Sequence, residues 1–144
     1  MDAPHPKQVV EWFIEARNAH DRSRAARLLT DDVEWHVPRS AGSPLKATEA
    51  INALVGGLEG RLFQPSSVQR RVKRIVSDGD VVIVEHTVTG TTVSGVEYVN
   101  DYCWVYELRG GLIARITSYS DTLGSTRAFG EDRLAEGLAE IRRQ

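Results

Sequence analysis

Residues 81–108 read VVIVEHTVTGTTVSGVEYVNDYCWVYEL, and their period-two pattern decides the fold. Successive strand side chains point to opposite faces. Val82, Val84, His86 and Val88 therefore share one side, and Val81, Ile83, Glu85 and Thr87 the other. Both sets are largely apolar, so both faces of this strand are expected to be covered. Gly90 to Gly95 reads as a turn, and Val96 to Leu108 as a long strand. One face of that strand carries Tyr98, Asn100, Tyr102, Trp104 and Tyr106. Aromatic rings with polar tips suit a pocket wall that holds a mostly apolar ligand and hydrogen-bonds it at a few points. They equally suit a core or a subunit interface, and both readings stand at this level.

The flanks extend the meander. Ser77-Asp78-Gly79-Asp80 is a hairpin signal behind a strand at Val68–Val76, and Arg109-Gly110-Gly111 leads into a strand ending at Tyr119 or Ser120. Upstream, Lys7–Ala19 predicts a helix with Val9, Val10, Phe13, Ile14 and Arg17 on one stripe. Asp21 caps a second helix running to about Leu29. Val33–Val37 is a short strand stopped by Pro38, and Thr48 opens a helix through about Leu58. The tail, Thr126–Arg143, has apolar residues at helical spacing among charges. These stripes need a common core, so the expectation is one α+β domain over 1–144 with its core at about 7–121. Its curved antiparallel sheet would enclose an apolar pocket with the N-terminal helices.

Composition narrows the function. With 144 residues the chain has the size of one domain. Lys plus Arg number 18 and Asp plus Glu 20, so no global field steers the chain to nucleic acid. Arg70, Arg71, Lys73 and Arg74 are read as a solvated or subunit-contact face. No apolar run reaches the roughly 20 residues of a membrane span, and no signal peptide is expected. Cys103 is the only cysteine, which excludes an internal disulfide and fits a reducing cytoplasm. His5, His20, His36 and His86 are scattered, so neither a metal nor a cofactor is expected. No GxxxxGK[ST], HExxH or GxSxG motif is present.

The candidate chemistry rests on a few side chains. His36 follows Trp35 at the end of a short strand, before a loop, where a base or proton shuttle near neutral pH would sit. Glu85 and His86 are neighbours pointing opposite ways; each is either functional or a satisfied structural residue. Asp121 shares a face with Tyr119 if the strand persists, and before Thr122 and Gly124 it equally caps a turn.

Two segments carry a resemblance: Leu28-Leu29-Thr30-Asp31-Asp32-Val33-Glu34-Trp35-His36-Val37-Pro38, and Gly110-Gly111-Leu112-Ile113 through Ser118-Tyr119-Ser120-Asp121-Thr122. In that order and at this length the chain resembles the nuclear transport factor 2-like superfamily in its SnoaL-like branch, over about Lys7 to Asp121. The resemblance implies a cone-shaped α+β barrel, and a fold shared by ketosteroid isomerases, polyketide cyclases, epoxide hydrolases, dehydratases and non-catalytic binders. Pro38 matches the isomerase proline, but Val37 stands where the aspartate base would be. The first helix lacks the isomerase tyrosine. Ser118, just before Tyr119, stands where the epoxide hydrolases carry their late aspartate. Asp121 matches a common family feature near the end of the last strand.

The resulting expectation is a cofactor-independent isomerase, cyclase or dehydratase working by acid–base catalysis on an apolar or polycyclic oxygenated molecule. His36 would be the base or shuttle. Asn100 or Tyr102 would bind the oxyanion, and Glu85 or Asp121 would be a second acid, base or orienter. Trp35, Trp104, Tyr106, Ser118 and Tyr119 would form the pocket. The alternatives are a binding protein using the same cavity, and an epoxide hydrolase-like enzyme with a non-standard site. A homodimer through the outer sheet face is expected, with no nucleic-acid or membrane partner.

Overall fold

A computed structural model describes residues 3–130 and 133–143. Helix α1 spans Pro6–Asn18; His5 Nδ1 accepts from the Lys7 amide at 3.2 Å, and Pro6 fills the first turn, where a missing N–H costs nothing. Val9, Val10, Phe13, Ile14 and Arg17 form its buried stripe. Asp21 caps α2, Arg22–Ala26, through the Arg24 amide at 3.1 Å. Strand β1 covers Leu29–His36 and β2 only Leu45–Lys46. The expected single helix over 48–58 is broken into α3, Ala47–Asn52, a wide turn at 53–57, and α4, Glu59–Leu62. Gly56 sits at φ +136°, which no side-chain-bearing residue holds cheaply, and this breaks the helical path.

Strands β3 (Gln69–Asp78), β4 (Val81–Thr91), β5 (Glu97–Arg109) and β6 (Leu112–Ser120) form the expected antiparallel meander. Gly110 and Gly111 both have positive φ, the geometry of the tight β5–β6 turn. The expected tail helix is two helices, α5 at Thr122–Phe129 and α6 at Arg133–Arg142. Among the described residues, no helix is long and apolar enough to cross a membrane.

The sheet corrects the expected cone-shaped barrel and its all-antiparallel pairing. Strand order is β2-β1-β6-β5-β4-β3, and β1 lies parallel to β6. Among the described residues the edge strands β2 and β3 do not pair, so the sheet stays open, without strong curl. Hairpin turns dictate antiparallel neighbours only between consecutive strands. The partner of β1 lies at the far end of the chain, and no turn signal specifies it. Strand β1 also begins at Leu29, four residues before the expected Val33, because Leu29 pairs with Ile113 ahead of a bulge.

The helices cover one face. Helix α1 packs across β3, β4 and β6, and the alternate residues Val82, Val84, His86 and Val88 are buried beneath the helical layer. The opposite face is open in the single chain, Val81 37% and Ile83 38% exposed; the expected cover there is a second subunit. The cavity that matters lies between helices and sheet.

Candidate active site between helices and sheet

Register places the aromatic face of β5 inward. Tyr102 pairs with His86, Trp104 with Val84 and Tyr106 with Val82. The His86 and Tyr102 rings stack at 5.6 Å with 12° between planes, and Trp104 meets His86 edge-on at 5.7 Å. Trp35 reaches Trp104 from β1 and donates from Nε1 to Ser118 Oγ at 2.6 Å. Together with Leu58, Leu62, Phe63 and Phe129, these side chains line a cavity of about 100 Å³. Apolar walls with a few convergent polar groups are the usual composition of a small-molecule site.

The charged end of this cavity comes from three elements. Arg17 closes the apolar stripe of α1, Glu59 opens α4, and Arg70 enters from β3. Arg17 Nη2 donates to Glu59 Oε1 at 3.0 Å, and the Arg70 guanidinium pairs with the same carboxylate oxygen. The Arg17 guanidinium lies 5.0 Å above the Trp104 ring, in cation–π range. Asn18 fixes Arg70 by exchanging two backbone hydrogen bonds with it: Nδ2 donates to the Arg70 carbonyl at 2.9 Å and Oδ1 accepts its amide at 2.8 Å.

Burial sets the protonation states. It lowers Arg17 to about 10, still charged at neutral pH, and lowers Arg70 together with the neighbouring Arg17 charge. Arginine keeps its proton in proteins. For His86, burial first and then Arg17 and Arg70 push the imidazole down to about 4. The ring is therefore neutral at pH 7. Burial raises Tyr102 far above its ordinary value, and pushes Tyr106 up to about 12, so both keep their hydroxyl protons.

A polar chain runs beside Tyr102. Its hydroxyl is 2.5 Å from that of Tyr98; Asn100 Nδ2 donates to Tyr98 Oη at 2.8 Å and to the Asp121 carbonyl at 3.0 Å. The Asp121 carboxylate itself faces the first turn of α5, accepting from the Leu123 and Gly124 amides at 3.1 and 3.2 Å.

The residues singled out from sequence thus divide by location. Trp35, Tyr102, Trp104 and Ser118 line the cavity, and Asn100 stands behind Tyr102 in the polar chain. Tyr106 is buried beside Phe13 in the core. His36 lies with Tyr119 in a neighbouring depression that shares Val37, Pro38, Ser118 and Ser120 with the cavity, its Nε2 2.9 Å from Glu34 Oε1. Glu85 pairs with Arg74 at 2.8 Å on the open face, where Tyr119 is 59% exposed. Arg70 is buried, contrary to its reading as part of a solvated or contact face; Arg71, Lys73 and Arg74 are exposed. Sequence reasoning left Glu59 out altogether. The usable signal was Arg17, a charge in register with an apolar stripe, which requires a buried counter-charge.

The SnoaL-like domain profile matches residues 10–116. No curated protein is similar in sequence at a significant level. Among solved structures, an NTF2-like protein from Burkholderia thailandensis is similar at TM-score 0.76 and 20% identity, covering 89% of this chain and 98% of its own. A putative polyketide cyclase from Pseudomonas putida is similar at TM-score 0.70 and 21% identity, over 87% and 98%. TerC, co-crystallised with polyporic acid, is similar at TM-score 0.74 and 18% identity, over 86% and 98%. At these identities the structures share a fold, and the profile match supplies the family: the chain belongs to the SnoaL-like domain family.

Proposed function

We propose that the protein is a cofactor-independent isomerase, cyclase or dehydratase that acts on an apolar oxygenated molecule in the cavity between helices and sheet. The observation that carries this reading is a neutral, buried imidazole, His86, stacked on Tyr102 within an aromatic cavity. His86 takes a proton from carbon next to a substrate carbonyl. Tyr102 donates to the oxygen on which charge develops, since Asn100 donates to Tyr98 and leaves the Tyr98 proton free to turn to Tyr102. Asn100 is a positioning residue, tied to the end of β6 by the Asp121 carbonyl. His36 and Glu85 serve the outer surface through Glu34 and Arg74. The fold that holds this cavity is shared with the putative polyketide cyclase from Pseudomonas putida.

The test is solvent-deuterium exchange. The α-protons of 2-tetralone, followed by NMR in D₂O, should exchange faster with the protein than in buffer. His86→Gln should lower that acceleration by at least ~10². Binding of 2-tetralone without accelerated exchange would mark the cavity as a binding site without turnover.

The same reading seats a second copy of the chain on the open sheet face. Exposed Val76, Ile83, Val99 and Tyr119 lie there among ion pairs of both signs, Arg74–Glu85 and Lys73–Asp101, a pattern that can meet itself across a two-fold axis.

A further inference from the structure

The end of the cavity near α1 and α4 is over-supplied with positive charge and with hydrogen-bond donors. Two buried guanidiniums, Arg17 and Arg70, share the single carboxylate of Glu59, which leaves one net positive charge out of water. An adjoining depression beyond Glu59 is lined by Arg17, His20, Arg22 and Glu59, so it adds a further cation. Among the described residues, Glu59 is the only carboxylate lining either space. Burying an unbalanced charge is costly, and structure alone gains nothing from it, because a hydrophobic replacement serves packing as well or better.

Hydrogen bonding points the same way by an independent count. Arg17 Nε and Trp104 Nε1 are buried without a partner among the described residues, and both groups can only donate. His86 Nδ1 is unpartnered as well. These three residues line one cavity, and Arg17 lies over Trp104. Native structures leave few buried donors unmatched, so the missing component is an acceptor.

We infer that the cavity binds its small molecule by an anionic oxygen group, a carboxylate, at the Arg17–Arg70 end, with the apolar body of the ligand against Trp35, Trp104 and Phe129. This rests on the cavity reading given above and names the ligand class for it. The carboxylate would cancel the surplus charge, and one oxygen pair would satisfy a guanidinium more completely than the shared Glu59 oxygen does. It would also relieve the positive field that now opposes protonation of His86.

The experiment compares two probes of one shape, 2-naphthoate and the neutral 2-naphthamide, by titration calorimetry at pH 7. The wild-type chain should bind the carboxylate roughly tenfold or more tightly than the amide, the scale of a charge-assisted hydrogen bond. Arg17→Met leaves Arg70 and Glu59 as a balanced pair and should erase the preference for carboxylate over amide. Glu59→Gln raises the surplus charge and should strengthen carboxylate binding. These opposite shifts are the signature of a charge effect, because damage to a structural cluster would weaken binding in both variants. Equal affinity of the two probes for the wild type would overturn the anion site and leave the cavity reading standing. So would a loss of naphthoate binding in both variants. Failure of both probes to bind the wild type would overturn the cavity reading along with it.

Discussion

His86 faces Arg17 from α1, Arg70 from β3 and the Tyr102 ring from β5, with Glu59 neutralising only part of the two guanidinium charges. Its pKa falls from 6.5 in the unfolded chain to about 4 in the fold. The native state thus favours the neutral ring. The stabilisation is complete above pH 6.5 and is lost as pH falls through 4. The size is about 3 kcal/mol, from the linkage between pKa shift and stability. Urea unfolding of the wild type should therefore weaken between pH 6.5 and 4 by about that amount more than unfolding of His86→Gln. Parallel pH dependences for the two proteins would show that His86 is not held neutral by its surroundings. The sequence disclosed the inward direction of His86, through the alternation of 82, 84, 86 and 88, but not its partners. Arg70 stood in a cluster of four cations broken only by Val72, where alternation is masked, and Glu59 stood among glycines.

At the scale of elements, local signals were sufficient wherever a strand meets its neighbour in sequence. The turns at 78–80, 90–95 and 110–111 set three antiparallel pairings, and the β5 alternation put Tyr98, Asn100, Tyr102, Trp104 and Tyr106 on one face. Where partners are distant, local pattern could not decide. The parallel pairing of β1 with β6 turns Trp35 into the cavity and His36 away from it, so adjacent residues of one strand end in different spaces. Asp121 illustrates a second limit. An aspartate ahead of Thr122 has the sequence of both an acid/base candidate and a helix cap, and its carboxylate caps α5. Its removal should cost stability of the order of 1 kcal/mol, as for other capping residues, read by urea unfolding of Asp121→Ala. An unchanged unfolding midpoint would show that the cap contributes nothing.

For the whole molecule, the helical layer covers one sheet face and leaves the other with large apolar side chains in water: Val99 is 68% and Val76 49% exposed. These side chains lie among the ion pairs Arg74–Glu85 and Lys73–Asp101, on the face where the second copy is proposed to sit. Two copies paired through it should scatter light as twice the 16.0 kDa chain mass at micromolar concentration. A single-chain mass would remove the second copy from the proposal.

The ligand is proposed to sit in the cavity between helices and sheet, at His86, and not in the depression at His36. The most direct measurement is the set of intermolecular NOEs between bound 2-tetralone and the assigned ring protons of the two histidines and Trp104. NOEs to His86 and Trp104 are expected, and none to His36. NOEs to His36 without any to His86 would contradict it.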